Sequence, residues 1–235
     1  MRLKWTYPSS PTTDCTMDRS HSAQLENLRT KANQMGQYTQ KALGLVLQAL
    51  IEKRIELFDE VFEIEKQINE WHKQVDEDAV EFLAQNGPVA KDLRTTVALV
   101  KINTDLERMG DQCVNIAYIG KDALKRNDDL NLPIIRTMFS LVQEMIEKSL
   151  SSFVKHDAKV AEKVLMMDDE VDTLKAKVQM DMIQEIKKNP EQTEKYLALI
   201  LIARNLERFG DHATNIAEDV IYTEAGQDIR HGGFL

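Results

Sequence analysis

Residues 106–117 read LERMGDQCVNIA, and residues 206–217 read LERFGDHATNIA. Eight of the twelve positions are identical, in register and one hundred residues apart. A chain that repeats its most polar, glycine-marked helical segment is read as two copies of one unit. Each copy sets a Glu and an Asp four residues apart: Glu107 with Asp111, and Glu207 with Asp211. On a helix this spacing stacks both carboxylates on one face, with Cβ atoms about 5–6 Å apart.

Outward from these segments the pattern is helical throughout. Leu25, Leu28, Ala32, Met35, Ala42, Leu43, Val46 and Leu50 recur at three- and four-residue steps, giving a first helix from about Ser20 to Arg54. A second follows with little or no break, striped by Leu57, Val61, Ile64, Ile68, Val75 and Phe82. It ends at Asn86-Gly87-Pro88, a C-cap followed by a residue that cannot continue a helix. Helix three runs from about Ala90 to Lys125, with Leu93, Val97, Val100, Thr104, Met109, Val114 and Ile116 as its stripe.

The second half repeats the plan. Helix four starts near Pro133, helix five spans about Asp157 to Lys188 before Asn189-Pro190, and helix six runs from about Glu191 to Thr223. Short connections between long helices imply antiparallel neighbours. The expected fold is all-α: two tandem three-helix bundles related by an internal repeat. The expected organisation is a disordered leader over 1–17, a first bundle over 18–127, a second over 128–225, and a tail over 226–235.

Composition narrows the class. Hydrophobic residues at 43% and charged residues at 29% suit a soluble globular protein. The formal net charge of −9 argues against nucleic acid, which needs a basic field, and suits cations or a basic partner surface. Two cysteines, Cys15 and Cys113, form no disulfide framework or zinc pattern, so a reducing, cytoplasmic setting is expected. No apolar run is long enough to span a bilayer, so the protein is expected to be peripheral to the membrane at most.

The acidic pairs carry a cost. Like charges at i,i+4 disfavour a helix by about 0.2–0.5 kcal/mol, and Gly110 and Gly210 each cost about 1 kcal/mol against Ala. Both penalties recur at one register, so something should offset them. A glycine admits a neighbouring helix. The carboxylates call for a cation, either a metal ion or the adjacent Arg108 and Arg208. Helices two and five supply a facing set: Glu65 with Asn69, and Asp168 with Asp172, placed alike to within one residue relative to Pro88 and Pro190. Oxygen donors converging in each bundle suit Mg²⁺, Ca²⁺, Mn²⁺ or ferric iron rather than thiolate-bound zinc. The plainer alternative is a solvated acidic face, for which a lone acid pair is a common device. His212, one position past Asp211, points about 100° away and is read as a packing or hydrogen-bonding group.

An enzyme is not expected. The chain has no Glu-x-x-His spacing of di-iron bundles, no Walker-type phosphate loop and no nucleophile elbow. Metallohydrolase and metal-storage readings stay open only through the acidic clusters.

The paired LERMGDQCVNIA and LERFGDHATNIAED segments resemble the PhoU family of phosphate-specific transport system accessory proteins. So do NGPVAKDLR at 86–94, MDDEVD at 167–172 and GQDIRHGG at 226–233. The resemblance covers about residues 18–233. It implies a cytoplasmic, dimeric negative regulator of the phosphate-starvation response. Such a protein links the ATPase subunit of a phosphate ABC transporter to a sensor histidine kinase. It also implies metal ions, singly or as a multinuclear cluster of Fe, Mn, Mg or Zn. The family's acid-x-x-x-Asp motif carries over onto Glu107 and Asp111, Glu207 and Asp211, and Asp168 and Asp172. The fourth copy departs from it, since Asn69 follows Glu65. The second bundle, with its full set of acids, is expected to be the stronger metal site.

Overall fold

The computed structural model describes residues 15–130 and 132–225, with side chains from His21 to Glu224 apart from Asn131. The six helices α1–α6 are Cys15–Glu52, Glu56–Asn86, Ala90–Lys125, Pro133–Lys155, Ala158–Lys188 and Thr193–Ala225. Within each half the three helices pack against one another: α1, α2 and α3 in the first bundle, α4, α5 and α6 in the second. The bundles join through α3 against α6 and α1 against α4, and the buried side chains form one continuous apolar core. The all-α, twice-repeated bundle expected from the sequence is the fold observed.

Local chemistry sets the helix ends. Gly87 adopts a left-handed conformation (φ 51°), its N–H caps the Leu83 carbonyl, and Pro88 blocks further propagation of α2. Asp157 caps α5: its Oδ1 accepts from the backbone N–H of Lys159 at 3.0 Å and Val160 at 3.2 Å. Pro190–Gln192 forms a single 3-10 turn, so α6 begins two residues later than its expected start. The α1–α2 junction is a real break, made without Gly or Pro. Lys53 turns left-handed (φ 55°), and the Arg54 guanidinium donates to Glu56 at 2.9 Å and Glu52 at 3.3 Å, fastening both helix ends.

At the N-terminus α1 is already helical at Cys15, within the stretch assigned to the leader; residues 1–14 lie outside the described residues. The closing GQDIRHGG segment and the tail lie outside them as well. On α3 the expected stripe is partly the buried one: Met109 and Ile116 are in the core and Val100 packs against it, but other expected positions are not. Leu93 and Val97 are exposed, while Leu99, Ile102, Leu106, Met109, Cys113 and Ile116 are fully buried. Both rows are apolar at helical spacing; the second wins because it faces α1 and α2. Leu93 and Val97 lie on another side of the cylinder.

Gly110 has a packing reason. A Cβ there would sit 3.1 Å from Ile68 Cδ1, so the missing methyl lets α2 press onto α3 beside the acidic pair. At Gly210 the equivalent Cβ would meet Met145 and Val142 at 3.6 Å, an ordinary contact.

Candidate functional site

In the second bundle α5 contributes Asp168 and Asp172, one turn apart, and the antiparallel α6 contributes Glu207 and Asp211. Lys175, one turn beyond Asp172, closes the group. Its Nζ donates to Glu207 Oε1 at 2.7 Å and to Asp172 Oδ1 at 3.1 Å. Thr214 Oγ1 donates to Asp168 Oδ1 at 3.3 Å. The four carboxyls sense one another. Partial burial pushes the Asp211 carboxyl up to about 6, reinforced by the charges of Glu207, Asp168 and Asp172 and opposed by His212. Asp168 is raised by burial first, then by Asp172, Asp169 and Glu207, against the Thr214 hydrogen bond. The hydrogen bond to Glu207 raises the Lys175 ammonium above its ordinary value.

The first bundle places Glu65, Asn69, Glu107 and Asp111 in the equivalent position with different bonding. Asn69 Nδ2 donates to Glu65 Oε1 at 2.5 Å, so one acid of α2 is held by its own helix. The half-buried Glu107 carboxyl is raised by burial and by Asp111 and Glu65, while His72 and Arg108 counteract. His72 Nδ1 faces the Asn103 carbonyl at 3.3 Å, so this nitrogen carries the hydrogen, and Nε2 lies 3.4 Å from Asp76.

The donor set suits a hard cation, since carboxylate oxygens come from two facing helices in each bundle. The described positions do not: among the described residues no three His, Cys, Asp or Glu side chains lie close enough to hold one metal ion. The charge that answers the second cluster in this arrangement is the Lys175 ammonium, not the adjacent Arg208. Two residues outside the expected set therefore matter, Lys175 and His72. Their signal in the sequence is a basic residue three positions beyond each pair on α2 and α5.

His212 makes a hydrogen bond, as its direction on the helix suggested. Its Nδ1 lies 2.8 Å from Oδ1 of Asp105 on α3, and Asn215 Nδ2 donates to the same oxygen at 3.2 Å. Asn215 thus belongs to the seam between bundles rather than to the acidic cluster. Arg108 lines the cleft over that seam with Lys101, Thr104, Glu218 and Asp219. Cys113 is fully buried, and burial drives its thiol upward, so it is an inert core residue.

A tandem pair of three-helix bundles, each with a facing set of acids on its second and third helices, defines a class of helical proteins. The family model of the PhoU domain matches this chain twice, over residues 32–119 and 135–220. The chain is 34% identical over 218 residues to a "Phosphate-specific transport system accessory protein PhoU homolog" of Pseudomonas aeruginosa, covering 92% of this chain and 90% of the relative. It is 29% identical over 211 residues to "PhoU homolog 1" of Thermotoga maritima, covering 88% and 90%. The crystal structure of PhoU from Pseudomonas aeruginosa superposes with a TM-score of 0.84 at 33% identity, covering 88% of this chain and 99% of that one. The phosphate transport system regulatory protein PhoU from Streptococcus pneumoniae gives 0.82 at 26% identity, covering 88% and 98%. The chain belongs to the PhoU family.

Proposed function

We propose that this protein is a negative regulator of the phosphate-starvation response and of phosphate uptake. It acts as a dimeric cytoplasmic adaptor between the ATPase subunit of a phosphate ABC transporter and a sensor histidine kinase, and it is not an enzyme. The observation that carries this reading is near end-to-end similarity, with both repeats matched, to proteins named as phosphate-specific transport system accessory proteins. Among the described residues no helix is long and apolar enough to cross a membrane, consistent with a peripheral partner of such a transporter. Deleting the gene should make phosphate-starvation genes constitutive in phosphate-rich medium; normal repression there would remove the reading. A pull-down from membranes of phosphate-replete cells should recover the transporter and the kinase.

We place a metal cation, when one binds, on the carboxylates of Glu65, Glu107 and Asp111 with the Asn69 amide, and of Asp168, Asp172, Glu207 and Asp211. Iron, manganese, magnesium and zinc are the candidates, singly or as a cluster. Such an ion would supply the positive charge that lets these carboxylates stay ionised together, and the side chains would have to come closer than in their described positions. Support comes from the oxygen-only donors and from the carboxyls of Asp211, Asp168 and Glu107, which are raised first by burial and then by the neighbouring acids. Metal analysis of protein purified without chelator is the check. Equal metal content in wild type, Glu207→Ala and Asp211→Ala would sink this part of the reading.

A further inference from the structure

The repeat extends to one more pair of positions. Glu65, Asn69 and His72 on α2 are spaced i, i+4, i+7, and Asp168, Asp172 and Lys175 on α5 keep the same intervals. These three positions lie along one face of each helix, so His72 and Lys175 occupy the same place in their bundles. The first bundle has an imidazole there, turned to the Asn103 carbonyl through Nδ1 and to the Asp76 carboxylate through Nε2. The second has an ammonium that bridges α5 to α6 through Asp172 and Glu207.

We propose that Lys175 is a tethered counter-cation that closes the acidic cluster of the second bundle, so that a dissolved divalent cation enters there only by displacing it. This rests on the reading of the clusters as cation-binding. Lys175 starts three residues from Asp172 on the same helix, so its ammonium is delivered to the carboxylates at high effective concentration. Its ammonium gives up part of its own hydration there, whereas Mg²⁺-like ions must break into a tightly held octahedral water shell. Two of its three N–H groups are used on oxygens from different helices, so it also ties α5 to α6 where four acids would otherwise repel. The duplicated unit has thus diverged at this position as well as at Asn69 and Asp172. In the second cluster an ammonium donates hydrogen bonds directly to carboxylates of both helices; in the first, Arg108 and His72 act on Glu107 through their charge. The full set of acids around Asp211 therefore does not make the second bundle the stronger metal site.

The test compares wild type with Lys175→Met, both stripped with EDTA and dialysed, by calorimetric titration with MnCl₂ and by thermal unfolding. Lys175→Met should bind Mn²⁺ with an added site, or roughly tenfold tighter, and this gain should vanish in Lys175→Met/Asp211→Asn. In EDTA its Tm should fall by about 2–4 °C, and Mn²⁺ should restore it. Identical Mn²⁺ isotherms in wild type and Lys175→Met, with binding in both, would overturn the proposal. Absence of Mn²⁺ binding in both proteins would remove the metal reading given under Proposed function. In that case the EDTA scans decide: a lower Tm in Lys175→Met upholds the counter-cation, and an unchanged Tm overturns it.

Discussion

At Asp211 the carboxyl titrates near 6 rather than at its ordinary 3.8, because it is partly buried among Glu207, Asp168 and Asp172. Between those two values the folded protein keeps a proton that the unfolded chain has released. Stability therefore falls as pH rises through that window, and the penalty is complete above it. Asp211→Asn removes the charge and keeps the shape. In EDTA the variant should be more stable than wild type at pH 7–8, and the difference should vanish below about pH 4. Asp211 is solvent-exposed in part, so screening limits the gain to a few tenths of a kcal/mol, about 1 at most. Urea unfolding at the two pH values reads it; an advantage that persists at low pH would assign the effect to something other than charge. The partner of these acids was the part of the site that the sequence concealed. A lysine three residues after an aspartate looks like any solvated pair on a helix surface. Only the arrival of Glu207 from α6, 2.7 Å from its Nζ, makes Lys175 part of the cluster.

Between elements, the two glycines of the repeat are equivalent in sequence and unequal in packing. A methyl at position 210 meets Met145 and Val142 at 3.6 Å, while one at 110 meets Ile68 at 3.1 Å. Gly210→Ala should therefore keep most of the roughly 1 kcal/mol that alanine gains over glycine in a helix, raising Tm by about 2–4 °C. Gly110→Ala must shift the Ile68 side chain by a few tenths of an ångström, so it should gain less than Gly210→Ala or lose stability outright. Differential scanning calorimetry of the two variants checks the order, and a larger gain from Gly110→Ala would contradict it. Helix ends were legible where the chain is punctuated, at Gly87-Pro88 and at Asn189-Pro190. The α1–α2 break was not, because Lys53 adopts a left-handed conformation with nothing in its side chain to announce it. The α3 stripe was only partly right, holding at Met109 and Ile116 and failing at Leu93 and Val97, for a related reason. A helix with neighbours on three sides carries apolar residues on more than one face, and periodicity alone cannot say which face is innermost.

Across the whole molecule the bundles are held by polar contacts as well as by the shared core. Along α3 and α6, Asp105 accepts from Asn215 and pairs with His212, and the Lys101 ammonium donates to the buried Asp219 at 3.2 Å. At one end a chain of four groups crosses the joint twice. The Arg29 guanidinium of α1 donates to His156 Nε2 at 2.5 Å, His156 Nδ1 donates to Glu224 Oε1 at 2.7 Å, and Lys91 Nζ of α3 donates to Glu224 Oε2 at 2.9 Å. Burial alone would raise the Glu224 carboxyl, but the hydrogen bonds from Lys91 and His156 outweigh it and hold the group below its ordinary range. A depressed carboxyl contributes stability at pH above its unfolded value and loses it as pH falls through the folded value. Glu224→Gln should therefore destabilise the protein by about 1 kcal/mol near pH 7, the scale of a partly exposed charge-assisted hydrogen bond. The gap to wild type should close as pH drops below about 4. Because Glu224 joins the second bundle to Lys91 of the first, the loss should appear as one cooperative unfolding transition moved to lower temperature. Two separated transitions in Glu224→Gln would mean that the bundles fold independently and that this clasp, rather than the common core, is what couples them.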